Sequence, residues 1–195
     1  MLKDYILQPF VRRKLSLGRY LHSLRTSVLA GELALRFHED VDEARLAGLA
    51  HDLARELPAE QLLKLARTDL FEILPEDEEY PLLLHGRAAA VVLKNEFGED
   101  RESVLQAIRW HTVGDADMGK IGIILFIADY IEPGRKHFAE SFREEVLRRR
   151  SLYDMFMMVL HHQVEYNKKI GRRLSIRTER LLRTIREEGH VLVQI

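Results

Sequence analysis

The sequence predicts an all-α fold, and three observations carry that prediction. Apolar residues recur every three or four positions along nearly the whole chain, the period of one face of an α-helix. Alternation of apolar and polar residues between turn signals, the mark of strands, is scarce. The periodic stretches close on helix-stopping residues, as at Pro58, Pro133 and Gly189.

Taken in order, the start "MLKDYILQPFVRRKLS" holds only short apolar pieces interrupted by charge and reads as an extension. A first long helix begins after Ser16 as N-cap, with Leu17, Leu21, Leu24, Val28 and Leu35 along one face. His22 shares the neighbouring face with Leu29 and Leu33 and so points partly inward. The next helix spans about 42–57, where Leu46, Leu49, Leu53 and Leu57 stand beside Ala47, Gly48, Ala50 and Ala54. Such small residues let other helices approach closely.

A helix from about Pro58 to Ala66 leads into the connector "TDLFEILPEDEEYP", acidic and carrying two prolines. Helices over about 83–97 and 99–110 follow, then a reversal at "HTVGD". "GKIGIILFIADYIEPG" reads as a largely buried helix closed by Pro133. Beyond Gly134 come the mixed-charge helix "FREEVLRRR", a helix over 152–169, and the amphipathic "SIRTERLLRTIREEG" before a short apolar tail, "HVLVQI". There is no internal repeat.

Composition narrows the function. A chain of 195 residues that is 46% hydrophobic suits one domain. Its 30 Lys+Arg balance 31 Asp+Glu, so nothing draws it globally to nucleic acid or to an anionic membrane, and any polyanion must be gripped locally. The absence of cysteine removes disulfides, thiolate metal sites and cysteine nucleophiles, leaving His, Asp and Glu as metal ligands. No apolar run reaches bilayer length, so a soluble cytoplasmic protein is the simplest expectation.

Asp129 follows "IGIILFIA" in a helix apolar on nearly every side. A carboxylate there is costly to ionise unless a cation or several donors compensate, and no regularly spaced Lys or Arg on that helix does so. Four histidines stand in distinct local contexts: His22 in "RYLHS", His51 in "AHDLA", His85 in "LLHG" and His111 in "RWHT". Imidazole with carboxylate suits Fe, Mn, Zn, Co or Ni. On a helix, adjacent His51 and Asp52 are turned by about 100°, so they flank a metal, and a bridging Asp52 serves two ions. Any one histidine on an apolar face is more often a core residue bonded to a carbonyl; the ordered set spread over separate helices is a stronger signal.

With these residues in place, the chain resembles the bacterial HD-domain symmetrical bis(5'-nucleosyl)-tetraphosphatase family, within the HD-domain metal-dependent phosphohydrolases. The resemblance lies in "RYLHS", "LAGLAHDLAREL", "LLHG", "AIRWHTVGD" and "ADYIEPGR". It runs from about Leu15 to Glu188, which places the core of one HD-domain helical bundle there, with short extensions within a single domain over 1–195. It implies a dinuclear, often iron-containing centre, with Mn, Co, Ni or Zn as alternatives. His22, His51, Asp52 and Asp129 would hold one ion, and Asp52, His85 and His111 would lie on or near the other. Two departures are visible: Ser175 and Ile176 stand where the family has a His-Pro pair, and the helix before Asp129 has Ile and Leu where relatives often carry lysine.

The implied reaction is symmetrical hydrolysis of diadenosine tetraphosphate to two ADP by metal-activated hydroxide. Asp52 and Arg55 are the catalytic candidates. Arg55, standing where the family usually has lysine, and Arg135 are the expected phosphate contacts. Arg87 and Arg109 are either further contacts or a solvated face, and Thr112 either donates to a phosphate oxygen or caps the turn after His111. Glu132 either orders a metal-bound water or is an exposed acid before Pro133. His38, His137, His161 and His190 are not used by the resemblance, although His161 and Glu165 have a metal-compatible spacing. The expected partner is a nucleotide, with neither nucleic acid nor membrane, and a homo-oligomer is left open. Two rivals remain: an HD-domain hydrolase of another nucleotide, and a non-catalytic nucleotide-binding regulatory module. The latter is opposed by all six ligand positions being filled.

Overall fold

A computed structural model describes residues 2–188, and among these it contains eleven α-helices and no strand. Gly189, His190 and the apolar tail lie outside the described residues. The centre of the bundle is built from α2 (Leu17–Arg36), α3 (Val41–Ala50), α6 (His85–Phe97), α7 (Glu102–Trp110) and α8 (Gly119–Ile131). Helix α8 packs against α2, α3 and α7, which buries it on all sides: Ile123, Ile124, Leu125, Ile127 and Ile131 are inaccessible to solvent. Burial of that apolar surface offsets the poor helix propensity of its isoleucines.

The remaining helices frame this core. Helix α1 (Asp4–Lys14) lies on α3, α4 (Ala59–Ala66) on α6, and α10 (Leu152–Lys169) on α8 and α9 (Glu140–Arg148). The acidic connector folds as the short α5 (Pro75–Glu79) followed by a 3-10 turn at Pro81–Leu84, and α11 (Ile176–Glu188) sets Leu181 in the core. The mixed-charge α9 makes the expected Glu145–Arg149 pair at 2.7 Å. None of the described helices is long and apolar enough to cross a membrane.

Three local readings of the sequence are corrected. The N-terminal segment forms a helix, α1, in spite of Pro9 in its interior, and buries Leu7 and Val11 completely. The leucine face expected to be the inner side of α2 is its outer side, with Leu17, Leu21, Val28 and Leu35 each more than two-fifths exposed. The buried side instead carries His22, Ser23, Thr26, Ser27, Leu29, Ala30, Leu33 and Ala34. Close approach explains the choice: a Cβ on Gly48 would lie 2.6 Å from Ser27 Cα, so α2 and α3 meet backbone to backbone, which only a small-residue face permits.

The third correction concerns the helix expected over 42–57, which stops at Ala50. His51 turns its Nδ1 to the Gly48 carbonyl at 2.7 Å, the acceptor a continuing helix would offer to the next N–H. Tight turns then carry the chain to Leu57, with Leu53, Arg55 and Leu57 N–H bonded three residues back.

Candidate metal centre

Three of the candidate histidines sit where a helix ends or begins, and the fourth, His22, lies within α2. His51 directly follows α3 and His111 directly follows α7, and both end their helices in the same way, because His111 Nδ1 donates to the Ile108 carbonyl at 2.7 Å. His85 opens α6 with Nδ1 on the Leu82 carbonyl at 2.6 Å. His22 lies on the buried face of α2 with Nδ1 3.1 Å from Glu132 Oε1. Gly86 keeps α6 against the end of α7, since a Cβ there would stand 2.6 Å from the Ile108 carbonyl oxygen and 3.0 Å from His111 Nδ1.

With Nδ1 committed to an oxygen, each ring presents Nε2 inward as an acceptor. The four Nε2 atoms converge in two pairs, His22 with His51 at 3.1 Å and His85 with His111 at 3.0 Å. Asp129 Oδ1 lies 2.9 Å from His22 Nε2 and 3.6 Å from His51 Nε2. Asp52 stands between the pairs: Oδ2 is 3.4 Å from His51 Nε2 and 3.6 Å from His22 Nε2, and Oδ1 is 3.3 Å from His85 Nε2. The structure thus brings together all six residues singled out from the sequence.

The electrostatics of this cluster call for cations. Burial, with His51 and His85 alongside, pushes the His111 pKa down to about 3, so its ring is neutral. Burial pushes the Asp52 carboxyl up, but the imidazoles of His51 and His85 outweigh it and hold the group well below the usual carboxylate range. Burial acts likewise on Asp129 and is outweighed by Arg135 and His22, which keep it ionised. For His22 burial is outweighed by Asp129 and Glu132, which raise its pKa; a metal at Nε2 would displace that proton. Acceptor nitrogens facing one another at contact distance, with two ionised carboxylates among them, match the mixed N/O donor set of first-row divalent ions. Among the described residues two groups have ligand atoms all within 4.8 Å, His22–His51–Asp129 and His51–Asp52–His111.

The cavity above the cluster exposes Asp52, Asp129, His85, His111 and Thr112, and its wall carries Arg19, Arg55, Arg135 and Gln163. Arg135 binds Asp129 through both its carboxylate and its carbonyl oxygen, the latter at 2.9 Å. Thr112 Oγ1 lies 3.2 Å and 3.1 Å from the Nε2 atoms of His85 and His111, so it faces the site.

Arg87 and Arg109, read as further phosphate contacts or a solvated face, are neither: both are buried away from the cavity. Arg87 is fully buried, bonded to Asp69 and to the carbonyls of Ala66, Phe71 and Glu72, and thus holds the connector to α6. Arg109 lies over the Phe71 ring at 4.6 Å and pairs with Glu102 at 3.0 Å. Both have their charge consumed by the 66–72 segment or by their own helix, and neither lines the cavity. Glu132, read as a water-ordering or exposed acid, is neither: it is 1% exposed and bonded to His22, Arg25 and the Gly134 N–H. Its bond to Nδ1 orients His22, the support that ligating histidines generally receive.

Sequence reasoning missed Arg19 and Gln163. Arg19 Nη1 lies 2.9 Å from Asp52 Oδ2. Its position three residues before His22 put it on the same helical face, a signal that was available. Gln163 comes from α10, where no local pattern marks it.

The HD domain family model matches residues 19–134. A protein of Staphylococcus aureus named symmetrical bis(5'-nucleosyl)-tetraphosphatase is 36% identical over 129 residues, 64% of this chain and 63% of that one. A Bacillus subtilis protein of the same name is 34% identical over 125 residues, 64% and 67% of the two chains. A probable nicotinate-nucleotide adenylyltransferase/Ap4A hydrolase of Mycoplasma genitalium is 35% identical over 132 residues, 67% of this chain but 36% of the relative. The chain therefore spans only between about a third and two thirds of the length of these relatives. A crystal structure described as a predicted HD superfamily hydrolase involved in NAD metabolism, from Clostridium acetobutylicum, superposes with a TM-score of 0.82 at 33% identity, covering 91% of this chain and 94% of that one.

Proposed function

The chain belongs to the HD domain family, and from that premise we propose that it is a metal-dependent phosphohydrolase that splits diadenosine tetraphosphate symmetrically into two ADP. Relatives about 35% identical are named for this activity, and the cavity is polar, arginine-walled and set on the ligand cluster. The observation that carries the proposal is Asp52, whose two oxygens face separate histidine pairs. His22, His51, His85, His111, Asp52 and Asp129 would hold the ions, and their imidazole and carboxylate donors suit first-row divalent metals; we assign a dinuclear iron centre, with Mn, Co, Ni and Zn as substitutes.

Bound ions would acidify water and neutralise charge on the phosphoryl oxygens. The protein's own residues do the rest. Arg19, Arg55 and Arg135 converge from three elements on one cavity and bind the phosphate chain, where a fork of N–H donors matches paired oxygens. Thr112 adds a hydroxyl donor at the floor. Glu132 and the three backbone carbonyls fix the imidazoles, so the ligands need little reorganisation. Water adds across the central P–O–P bridge, one ADP keeps the transferred oxygen, and the other leaves with the bridging oxygen. A cytoplasmic nucleotide enzyme, acting on neither nucleic acid nor membrane, is part of the same reading.

The test is ADP release from diadenosine tetraphosphate by metal-stripped protein reconstituted with iron(II), manganese, cobalt or zinc, beside Asp52→Ala. ADP as sole product, dependent on metal and lost in the variant, is expected. Full turnover by Asp52→Ala, or no turnover with any metal, overturns the proposal.

A further inference from the structure

Beside the metal cluster lies a group of rings that phosphate chemistry does not use. Tyr130, next to Asp129 in α8, hydrogen-bonds His162 Nδ1 on α10 at 2.8 Å. Its ring meets His137 edge-on with centroids 4.7 Å apart, and Phe138 stacks on it at 5.8 Å. His137 in turn lies 5.5 Å from Tyr166 of α10. Three neighbours of the group in the chain, Asp129, Arg135 and Gln163, line the cavity. Arg135, two residues before His137, lines the wall, and so does Gln163, one helical turn before Tyr166.

These rings are not equally enclosed. Tyr130 is buried, whereas His137 and Tyr166 are half-buried. Burial, together with Arg135 and His162, lowers the His137 pKa, which leaves a neutral flat ring at pH 7. The amide of Gln163 makes no hydrogen bond among the described residues. A nucleotide joins a charged phosphate chain to a planar base with two apolar faces and a polar edge. The arginines suit the first part, and a half-open aromatic pair next to an uncommitted amide suits the second.

We infer that His137 and Tyr166 form the platform on which one nucleobase of the substrate stacks, with Gln163 placed to meet its polar edge. This rests on the proposal that the ligand is a nucleotide, and it adds the part of the site that distinguishes a nucleotide from a bare polyphosphate.

Binding of ADP and of inorganic pyrophosphate to manganese-loaded protein, measured by calorimetry, separates the two parts. The wild type is expected to bind ADP at least about tenfold more tightly than pyrophosphate. Tyr166→Ala and His137→Ala should each lose about tenfold for ADP and nothing for pyrophosphate. Tyr166→Phe, which keeps the stacking face, should restore ADP binding. In turnover, KM for diadenosine tetraphosphate should rise with kcat little changed. Equal wild-type affinity for ADP and pyrophosphate, or equal losses for both ligands in the variants, overturns the platform. Failure of the protein to hydrolyse diadenosine tetraphosphate would sink the proposed reaction instead, because the ADP comparison does not depend on turnover.

Discussion

Replacing Arg87 by alanine separates the two roles an arginine near this site can play. The side chain is buried, forks onto the Asp69 carboxylate and donates to the carbonyls of Glu72, Ala66 and Phe71 at 2.8, 3.0 and 2.8 Å. The Asp69 side chain is itself only 3% exposed, so the variant leaves a buried carboxylate without its paired guanidinium, with Arg109 Nε 4.0 Å away as the nearer remaining cation. Breaking a buried pair from one side costs about 3–5 kcal/mol. In a chain of this size 1 kcal/mol moves the midpoint of thermal unfolding by about 2–4 °C, so Arg87→Ala should lower Tm by roughly 6–20 °C. Circular dichroism melts give that number, and turnover per folded molecule, measured well below the new Tm, should be nearly that of the wild type. Arg55→Ala, at the cavity wall, should do the opposite: about the same Tm and a KM raised roughly tenfold or more, the loss of one charge-assisted contact. An Arg87→Ala protein with unchanged Tm and a raised KM would refute this assignment and return Arg87 to the phosphates.

Gly48→Ala puts a methyl carbon 2.6 Å from the Ser27 backbone, which cannot yield as a side chain would. It should destabilise by about 1–3 kcal/mol and weaken metal binding by displacing His51 from His22, as read by melts with and without manganese. Glu132→Gln removes the charge behind His22 Nδ1 and should lower metal affinity about tenfold, measured by competition with a chelator. An unchanged affinity would show that Glu132 serves only Arg25 and the Gly134 turn. Burial pushes the Glu99 carboxyl up, but bonds from Arg101 outweigh it and lower its pKa below the ordinary value. A depressed folded pKa contributes stability above the unfolded value and loses it as pH falls through the folded one. Glu99→Gln should therefore be less stable than the wild type at pH 7, with the gap closing below about pH 4. A gap that persists at pH 3 would contradict this.

How far the site was legible depends on where each residue's signal lay. Asp129 announced itself because a carboxylate in an otherwise apolar helix needs a cation, and the histidines because each stood in its own short motif. Arg87 misled because proximity to His85 in sequence says nothing about direction. On α6 its side chain runs away from the cavity to the open carbonyls of 66–72, which need donors as much as a phosphate does. Glu132 was undervalued for a related reason: a charged residue before a proline looks exposed until Arg25 and His22 are found folded over it. The tight turns after Ala50 were hidden because the histidine that ends the helix sits among strong helix formers.

By itself the sequence determined the helical class, the six candidate ligands and the restriction of any metal ligands to histidine and carboxylate, because periodicity and composition are local properties. The tertiary structure alone decided which face of α2 is buried, which arginines reach the cavity, and that α10 supplies Gln163 and Tyr166 beside it. Those outcomes turn on helices distant in sequence approaching one another. The contact of Gly48 with Ser27 shows why: packing at van der Waals distance selects one arrangement among several that the hydrophobic pattern permits.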